Sequence, residues 1–271
     1  MRAADKTIVV TGGGNGIGRQ LTLQLLGRGA RVAAIDISEA GLQETSALAG
    51  DKADRLSTHV VNITDRAAVE ALPAAVIEKH GQVDGLINCA GIIQPFVPVN
   101  DLGYDAIERV MNVNFWGVVN MTKTFLPHLL KRPEAHLVNV SSMGGFMPFP
   151  GQSIYGASKA AVKLLTEGLH SELTDTNVSV TTVFPGAIAT DISKNSGLDA
   201  PSVSDTPDGK APKMKMTQPA DAARIIIEGM ERDAYRVMVG GDAKLLDRLA
   251  RLAPARSAGF IYKQMKARLA T

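Results

Sequence analysis

The turn "TGGGNGIG" at residues 11–18 constrains the fold most, because it joins an apolar strand pattern to a helical pattern. Gly12, Gly16 and Gly18 stand where a chain turns tightly, lets its backbone approach a pyrophosphate and packs a helix on a strand. The N-terminus of the following helix offers unpaired N–H groups and positive potential to an anion. Glycines at this spacing are common alone, but a strand before and a helix after predict a nucleotide-binding βαβ unit.

Short apolar runs alternate with longer helical patterns along the chain, and several runs are apolar almost throughout, which is typical of parallel strands covered on both faces. We therefore expect an α/β fold, a doubly wound parallel sheet of about seven strands with helices on both faces, in one domain over residues 1–253. The predicted strands are 7–12, 31–36, 56–63, 85–91, 135–142, 178–186 and 236–241. The predicted helices are 16–28, 39–49, 65–80, 101–131, 155–174, 219–232 and 242–252.

Composition narrows the function classes. The chain has 271 residues, 45% of them hydrophobic, and a net charge of +2, so it gives no reason to expect a nucleic-acid partner. No run approaches the roughly 20 apolar residues that cross a bilayer, and the first residues do not resemble a signal peptide. Cys89 is the one cysteine, which excludes an intramolecular disulfide and favours a reducing, cytoplasmic location. No metal site is predicted.

Asp36 ends the second predicted strand, 24 residues after Gly12. A carboxylate at this place can accept hydrogen bonds from the hydroxyls of an adenosine ribose, and it repels a 2′-phosphate. The next residues, Ile37 and Ser38, supply no cation. The pattern favours NAD over NADP as the cofactor; the alternative is a solvated carboxylate at a strand end.

Two segments depart from the alternation. Residues 193–217 are rich in Ser, Pro, Gly and Lys, which predicts a substrate loop or lid, or a partly disordered connection. Residues 254–271 form a basic C-terminal tail, preceded by a leucine-rich helical face that Pro254 ends. We expect this region to pack over the substrate cleft or a subunit interface; the alternative is peripheral contact with an anionic membrane surface.

Tyr155 and Lys159 lie four residues apart in the helical pattern "IYGASKAAVKLLTEGL" and so share one helix face. A tyrosine hydroxyl, with a pKa of about 10, is a poor base at neutral pH. A neighbouring ammonium group stabilises the phenolate and lowers that pKa. The pair can therefore form a general acid/base, although this spacing alone often means only a surface pair.

Taken together, these segments resemble the short-chain dehydrogenases/reductases over about residues 5–240. The matching motifs are "TGGGNGIG" (11–18), "NCAG" (88–91), "VNFWG" (113–117), "VSS" (140–142), "YGASK" (155–159) and "PGAIAT" (185–190). The resemblance implies a single Rossmann-type domain that transfers hydride between a nicotinamide and an alcohol or carbonyl compound.

The resemblance also implies a role for each matching residue. Tyr155 would be the acid/base, Lys159 would bind the nicotinamide ribose and lower the tyrosine pKa, and Ser142 would hold the substrate oxygen. Asn114 would lie in a helix bulge that holds a water relayed to the lysine. The implied cofactor-binding residues are Gly12, Asn15, Gly16, Ile17, Gly18, Asp36, Ile37, Asn62, Ile63, Asn88, Ala90, Gly91, Tyr155, Lys159, Pro185, Gly186, Ile188 and Thr190.

Two positions depart from the family pattern. Asn62 stands where the family often has an aspartate that contacts the adenine amino group, and we expect its side-chain carbonyl to accept the same hydrogen bond. Cys89 replaces the second asparagine of the commonest motif, and we interpret it as a small buried residue and not as a nucleophile.

The substrate is expected to be an apolar secondary alcohol or ketone, because "SSMGGFMPFP" (141–150) resembles the loop of hydroxysteroid and retinol dehydrogenases. The residues expected around it are Ser142, Met143, Phe146, Met147 and Tyr155, with Ile92, Ile93, Phe96 and Ile188 nearby. A 3-oxoacyl thioester reductase is the alternative within the family, and a non-catalytic dinucleotide sensor is the alternative outside it. The family also implies a homodimer or homotetramer, paired through the helices at 101–131 and 155–174.

Overall fold

The computed structural model describes residues 1–198 and 216–265. Its strands form one seven-stranded sheet, every neighbouring pair parallel, in the order β3-β2-β1-β4-β5-β6-β7. The strands are β1 Thr7–Thr11, β2 Arg31–Asp36, β3 Leu56–Val60, β4 Gly85–Asn88, β5 Ala135–Val140, β6 Val178–Pro185 and β7 Arg236–Val239. The predicted doubly wound parallel sheet is confirmed.

Ten α-helices are found within the described residues, and most of them connect consecutive strands. They are α1 Gly16–Gly27, α2 Glu39–Ala49, α3 Arg66–His80, α4 Tyr104–Met111, α5 Gly117–Leu129, α6 Ser153–Glu172, α7 Ile192–Asn195, α8 Pro219–Glu231, α9 Gly241–Leu252 and α10 Pro254–Met265. Short 3₁₀ turns lie at Gly50–Arg55, Val99–Asp101 and Met143–Gly145.

Apolar residues of one strand point alternately into two cores, because side chains on a strand alternate between the faces of a sheet. In β1, Ile8 and Val10 join a core with α1 and α8, whereas Val9 joins a core with α3 and α5. Burial on both faces explains why the strand is apolar without a polar alternation. The two cores fix the sheet between its helical layers and so fix the edge at which the strands end.

The strand order changes direction at β1, which pairs with β2 on one side and with β4 on the other. In a parallel sheet this arrangement opens a crevice at the carboxyl ends of the two central strands. The glycine turn after β1, the end of β2 and the segment after β4 all meet there. The topology therefore places the sequence motifs at one edge.

The helix predicted over 101–131 is not uniform. The structure has α4, then a π-helical turn at Asn112–Trp116, then α5, with 3₁₀ geometry at the start. The π turn brings in Asn114, whose side chain bonds the backbone of Ile92 on another segment. This tertiary contact accounts for the local departure from α-helical geometry.

The chain after α9 is helical as well. Pro254 ends α9 but also begins α10, since proline is favoured at the first position of a helix. Ile261 of α10, Leu246 of α9 and Met147 form a small third apolar cluster. Most of the predicted loop at 193–217 lies outside the described residues. The part that is described includes the end of α7 and Thr217, which forms a β-bridge with Ile188.

Within residues 1–198 and 216–265, no helix has both the length and the apolar content that a membrane span needs.

Close packing of α8 on β7 generates a stability prediction. A Cβ atom at Gly229 would overlap the side chain of Val237, whereas one at Gly27, also in the last turn of its helix, would meet nothing within 4 Å. We expect Gly229→Ala to lower the free energy of unfolding by about 1–3 kcal/mol, because the overlap outweighs the better helix propensity of alanine. Gly27→Ala, the control, should raise it by up to about 1 kcal/mol. Urea titration measures both; equal effects would contradict the packing argument.

Candidate active site

A large cleft of about 1940 Å³ opens at the carboxyl edge of the sheet. Ligand pockets commonly measure ~300–1,000 Å³, so this cleft has room for two ligands side by side. The predicted cofactor residues that line it are Gly12, Asn15, Gly16, Ile17, Gly18, Asp36, Ile37, Asn62, Ile63, Ala90, Gly91, Tyr155, Lys159, Pro185, Gly186, Ile188 and Thr190. Ser142, Met143, Ile92, Ile93 and Phe96 line it too, from among the residues expected around the substrate.

The glycine turn holds the N-terminus of α1 against the cleft. Gly12 and Gly16 have φ angles of 74° and 52°, which glycine adopts without steric cost. A Cβ atom at Gly18 would overlap the carbonyl oxygen of Gly12, so only glycine allows this approach of α1 to β1. Asn15 caps α1 by accepting a hydrogen bond from the N–H of Gly16 at 2.6 Å. The turn forms the backbone cradle that a pyrophosphate requires.

The carboxylate of Asp36 is held in one orientation by two backbone groups. Its Oδ2 accepts from the N–H of Gly14 at 2.9 Å, and its Oδ1 accepts from the N–H of Ser38 at 2.9 Å. Each carboxylate oxygen retains a lone pair, since an ionised carboxyl group accepts about four hydrogen bonds. Asp36 can therefore also accept from two hydroxyls in the cleft.

Arg19, which the sequence analysis did not single out, lies in the same wall of the cleft. Its guanidinium group donates to the carbonyl oxygen of Gly14 and forms a 2.7 Å ion pair with Glu44. The charge of this guanidinium group is thus already compensated by Glu44. A basic residue directly after the turn at residues 11–18 is the signal that could have identified it.

Tyr155 lies at the first turn of α6, with its ring against Gly144; a Cβ atom there would be 3.3 Å from Cε1 of the ring. Burial raises the pKa of Tyr155, and this effect outweighs the lowering effect of the neighbouring Ser142 hydroxyl. We expected a lowered pKa. The structure gives the opposite direction, because removal of the ring from water disfavours the phenolate.

Lys159 is buried, with 4% of its surface exposed, and burial lowers its pKa to about 8. Its Nζ atom donates to the carbonyl oxygen of Val140 at 3.1 Å. No acidic side chain of residues 1–198 or 216–265 pairs with it, and no second protein acceptor is found among them. An ammonium group has three donors, so two remain for a ligand in the cleft. A buried cation without a carboxylate partner is costly and marks a binding role.

Asn114 lies behind the cleft and does not line it. Its Nδ2 donates to the carbonyl oxygen of Ile92 at 2.9 Å and to Ser158 Oγ at 3.0 Å, and its Oδ1 accepts from the N–H of Ile92 at 2.9 Å. Ser158 in turn donates to the carbonyl oxygen of Tyr155 at 2.7 Å. The predicted helix bulge is present as the π turn, and it ties α6 to the segment after β4.

Besides Asn114, three predicted site residues do not line the cleft. Asn88 points inward and donates to Thr122 and Asn139 at 3.2 and 2.8 Å. Phe146 packs on the ring of Phe184, and Met147 is buried in the apolar cluster with α9 and α10. Asn88 was assigned from the family resemblance, and Phe146 and Met147 from their place near Ser142 in the sequence; all three side chains are directed into packing contacts.

Asn62 lines the cleft, but its side-chain carbonyl oxygen makes hydrogen bonds other than the one expected with the adenine amino group. Oδ1 accepts from the N–H of Thr64 at 3.0 Å and from its hydroxyl at 2.9 Å. The lone pairs that we assigned to the adenine amino group are therefore used within the turn.

Asp242 in the first turn of α9 is a further site residue that the sequence analysis missed. Its Oδ2 accepts from the N–H of Ala187 at 2.7 Å, and its carboxylate occupies the space that a Cβ atom of Gly186 would need. It thereby holds the segment after β6 at the cleft wall. An acid following two glycines at 240–241 is too weak a signal to identify this contact.

The far wall of the cleft is apolar and comes from the C-terminal helices. Leu245 and Leu246 of α9 and Phe260, Ile261 and Met265 of α10 contribute to it. Up to Met265, the C-terminal region packs over the cleft, as expected. Among the described side chains, no group of three or more His, Cys, Asp or Glu residues is placed to hold a metal ion.

Comparisons with known proteins identify the family of this chain. A family model described as short chain dehydrogenase matches residues 6–200. A putative oxidoreductase, SadH, of Mycobacterium tuberculosis is 38% identical over 253 residues, which is 91% of this chain and 90% of that protein. A protein named 3-oxoacyl-[acyl-carrier-protein] reductase FabG, from Thermotoga maritima, is 34% identical over 229 residues, 84% of this chain and 91% of that one.

A solved structure shares the fold. It is a short chain dehydrogenase/reductase from Burkholderia phymatum in complex with NAD, with a TM-score of 0.83 and 23% identity over 94% of this chain and 95% of that one. The family model and the relatives, together with the geometry of the cleft, lead to one conclusion: this chain belongs to the short-chain dehydrogenase/reductase family of NAD(P)-dependent oxidoreductases.

Proposed function

We propose that this protein is an NAD-dependent dehydrogenase or reductase that interconverts an apolar secondary alcohol and its ketone. The observation that carries the proposal is the buried ammonium of Lys159, one helical turn from Tyr155, with two donors left for a ligand. The hydroxyls of a nicotinamide ribose fit these donors, and the Gly12–Gly18 cradle fits a pyrophosphate.

The nicotinamide, when bound, accepts or gives the hydride. The protein supplies position and a proton. The hydroxyls of Ser142 and Tyr155 are neighbours and both side chains line the cleft, so the two can converge on the oxygen of the substrate. In oxidation Tyr155 takes the hydroxyl proton as a phenolate, and in reduction its hydroxyl donates a proton. Lys159 can hold the nicotinamide ribose through the two donors that its bond to Val140 leaves.

Asp36 supports NAD over NADP. Its two oxygens can accept from both ribose hydroxyls, whereas a 2′-phosphate would meet a carboxylate held in place by Gly14 and Ser38. The neighbouring cation, Arg19, is paired with Glu44 and so is poorly placed to bind that phosphate. Beside Asp36, the side chain of Ile37 is 71% exposed and offers an apolar surface to an adenine ring.

The apolar wall supports a hydrophobic substrate. Met143, Phe149, Leu246, Phe260 and Met265 reach the cleft from three separate segments. Burying an apolar substrate against them would contribute about 25 cal/mol for each Å² removed from water. A 3-oxoacyl thioester reductase remains the second candidate, because a relative with 34% identity carries that name. A screen of secondary alcohols and 3-oxoacyl thioesters with both cofactors distinguishes the two.

The first test removes the proposed acid/base. We expect Tyr155→Phe to lower kcat by about 10²–10⁴-fold, because the hydroxyl that moves the proton is lost while the ring and its packing stay. Absorbance of reduced nicotinamide, with a panel of alcohols, measures turnover. Tyr235→Phe, outside the cleft, is the control and should keep wild-type turnover. A protein that binds NADH but whose turnover is unchanged by Tyr155→Phe would refute the catalytic assignment.

The second test concerns cofactor choice. We expect Asp36→Asn to reduce the preference for NAD, measured as the ratio of kcat/KM with NAD to that with NADP, by about 10-fold or more, since a like-charge repulsion is removed. Glu39→Gln makes the same change in net charge on α2 outside the cleft lining and should leave the ratio unchanged. A wild-type protein that prefers NADP at equal concentration would contradict the proposal.

The third test uses the stability cost of the buried lysine. Burial lowers the pKa of Lys159 from 10.5 to about 8, which corresponds to roughly 3 kcal/mol of lost stability at pH 7. Losing the bond to Val140 offsets part of this, so Lys159→Met should be more stable by about 1–2 kcal/mol at pH 7 and inactive. The pKa of Lys159 is lower in the folded than in the unfolded state, so the free energy of unfolding of the wild type rises as the pH increases from 8 towards 10.5. The stability difference between Lys159→Met and the wild type shrinks over the same range.

Denaturant unfolding at pH 7 and pH 9.5 measures this difference. Lys163→Met is the control, because Lys163 lies one turn further along α6 in an ion pair with Glu167 and should show no gain at pH 7. A Lys159→Met protein that is less stable than the wild type at both pH values would show that burial of the charged lysine does not lower the stability of the wild type.

A further inference from the structure

We propose that Gln94 is a positioning residue for Tyr155: it caps the N-terminus of α6 from another segment and thereby fixes the tyrosine relative to the cofactor side of the cleft. The proposal rests on the proposed function. It starts from the first turn of α6, where the N-cap residue Gln152 makes no capping bond with its side chain. Helix N-termini carry four N–H groups without intrahelical partners, and a local Ser, Thr, Asp or Asn commonly satisfies them.

Gln94 takes over this role. Its Oε1 accepts from the N–H of Ile154 at 2.8 Å and from the N–H of Tyr155 itself at 2.9 Å. Its Nε2 donates to the carbonyl oxygen of Gly151 at 3.1 Å. The side chain is fully buried, so water cannot replace these bonds if the residue is lost.

A second glutamine closes the arrangement in the other direction. Nε2 of Gln152 donates to the backbone carbonyl oxygen of Gln94 at 2.8 Å. Each of the two segments thus holds the other through a side-chain amide. Four hydrogen bonds in all join the chain around Gln94 to residues 151–155.

The segment that carries Gln94 is anchored at the cofactor side. Ile92 is bonded through its backbone to Asn114, and the N–H of Ile93 donates to Ser196 at 3.0 Å. Immediately before them, Ala90 and Gly91 line the cleft beside the glycine turn. A shift of the first turn of α6 relative to this segment would move the Tyr155 hydroxyl away from the reacting carbon, and a misplacement of about 1 Å can cost ~10²-fold in rate.

The neutral charge of the cap also matters. A carboxylate would be favoured at a helix N-terminus, but it would place a negative charge next to Tyr155 and so raise the pKa of the tyrosine. An amide supplies the same acceptor oxygen without that charge. This accounts for a glutamine at a position where an acid would cap the helix equally well.

The test compares Gln94→Met, Gln94→Glu and a control. Gln94→Met keeps the length of the side chain and removes the acceptor; we expect kcat to fall by about 10–100-fold while KM for the cofactor changes by less than about 2-fold. Gln94→Glu restores the acceptor, so kcat at high pH should recover to within about 3-fold of wild type. The acidic limb of its kcat–pH profile should move to higher pH, because the added charge disfavours the phenolate.

Thr181→Val is the matched control for lost stability. Thr181 is buried away from the cleft, and its hydroxyl bonds His136 and the carbonyl oxygen of Ala234. The variant loses both bonds, so its melting temperature should fall while its kcat stays the same. Wild-type kcat in Gln94→Met, or equal losses in Gln94→Met and Gln94→Glu without a shifted profile, would overturn the proposal. In either case, a loss of turnover in Tyr155→Phe relative to the wild type would show that the proposed function stands although the role of Gln94 does not.

Discussion

Burial of the Lys159 ammonium is the constraint around which the candidate site is arranged. An ammonium group this far from water lowers stability unless a ligand or an acceptor compensates it, and the carbonyl oxygen of Val140 compensates it only in part. The surrounding backbone must therefore be held rigidly by other contacts. Ser141, directly after β5, does this by donating to the carbonyl oxygen of Lys159 at 2.7 Å, and Asn114 does it through Ser158.

Glycines make this close packing possible. Gly91 brings the segment after β4 so near that a Cβ atom would lie 3.0 Å from the Lys159 Nζ atom, and one at Gly145 would lie 2.8 Å from the Lys159 carbonyl oxygen. Gly156 approaches the carbonyl oxygen of Gly144 in the same way, at 3.0 Å. The turn after β5 can thus lie directly on α6, and Ser142 reaches Tyr155. The geometry of the site therefore depends on the absence of a Cβ atom at these glycines as much as on the side chains of the other residues.

The apolar end of the cleft follows a different principle. It is assembled late in the chain, from α9 and α10, and it rests on the cluster of Met147, Leu246 and Ile261. Phe146 and Met147 support this wall from behind and do not face the cleft. Changes in α9 and α10 would therefore alter the space for a substrate while leaving the hydroxyl pair and the cofactor cradle in place.

Sequence alone determined the succession of strands and helices along the chain, the glycine turn, the position of Asp36 and the Tyr155–Lys159 pair. These features depend on local periodicity and on spacing within one element. The inward direction of the Asn88 side chain and the raised pKa of Tyr155 depend on neighbours from distant segments. The lowered pKa expected for Tyr155 was wrong, whereas the cofactor contact of Asn88 stays a prediction. Gln94, Arg19 and Asp242 were missed for the same reason. A hydrogen bond between residues 60 positions apart, such as that from Ile154 to Gln94, leaves no periodic trace, and only the packed tertiary structure decides it.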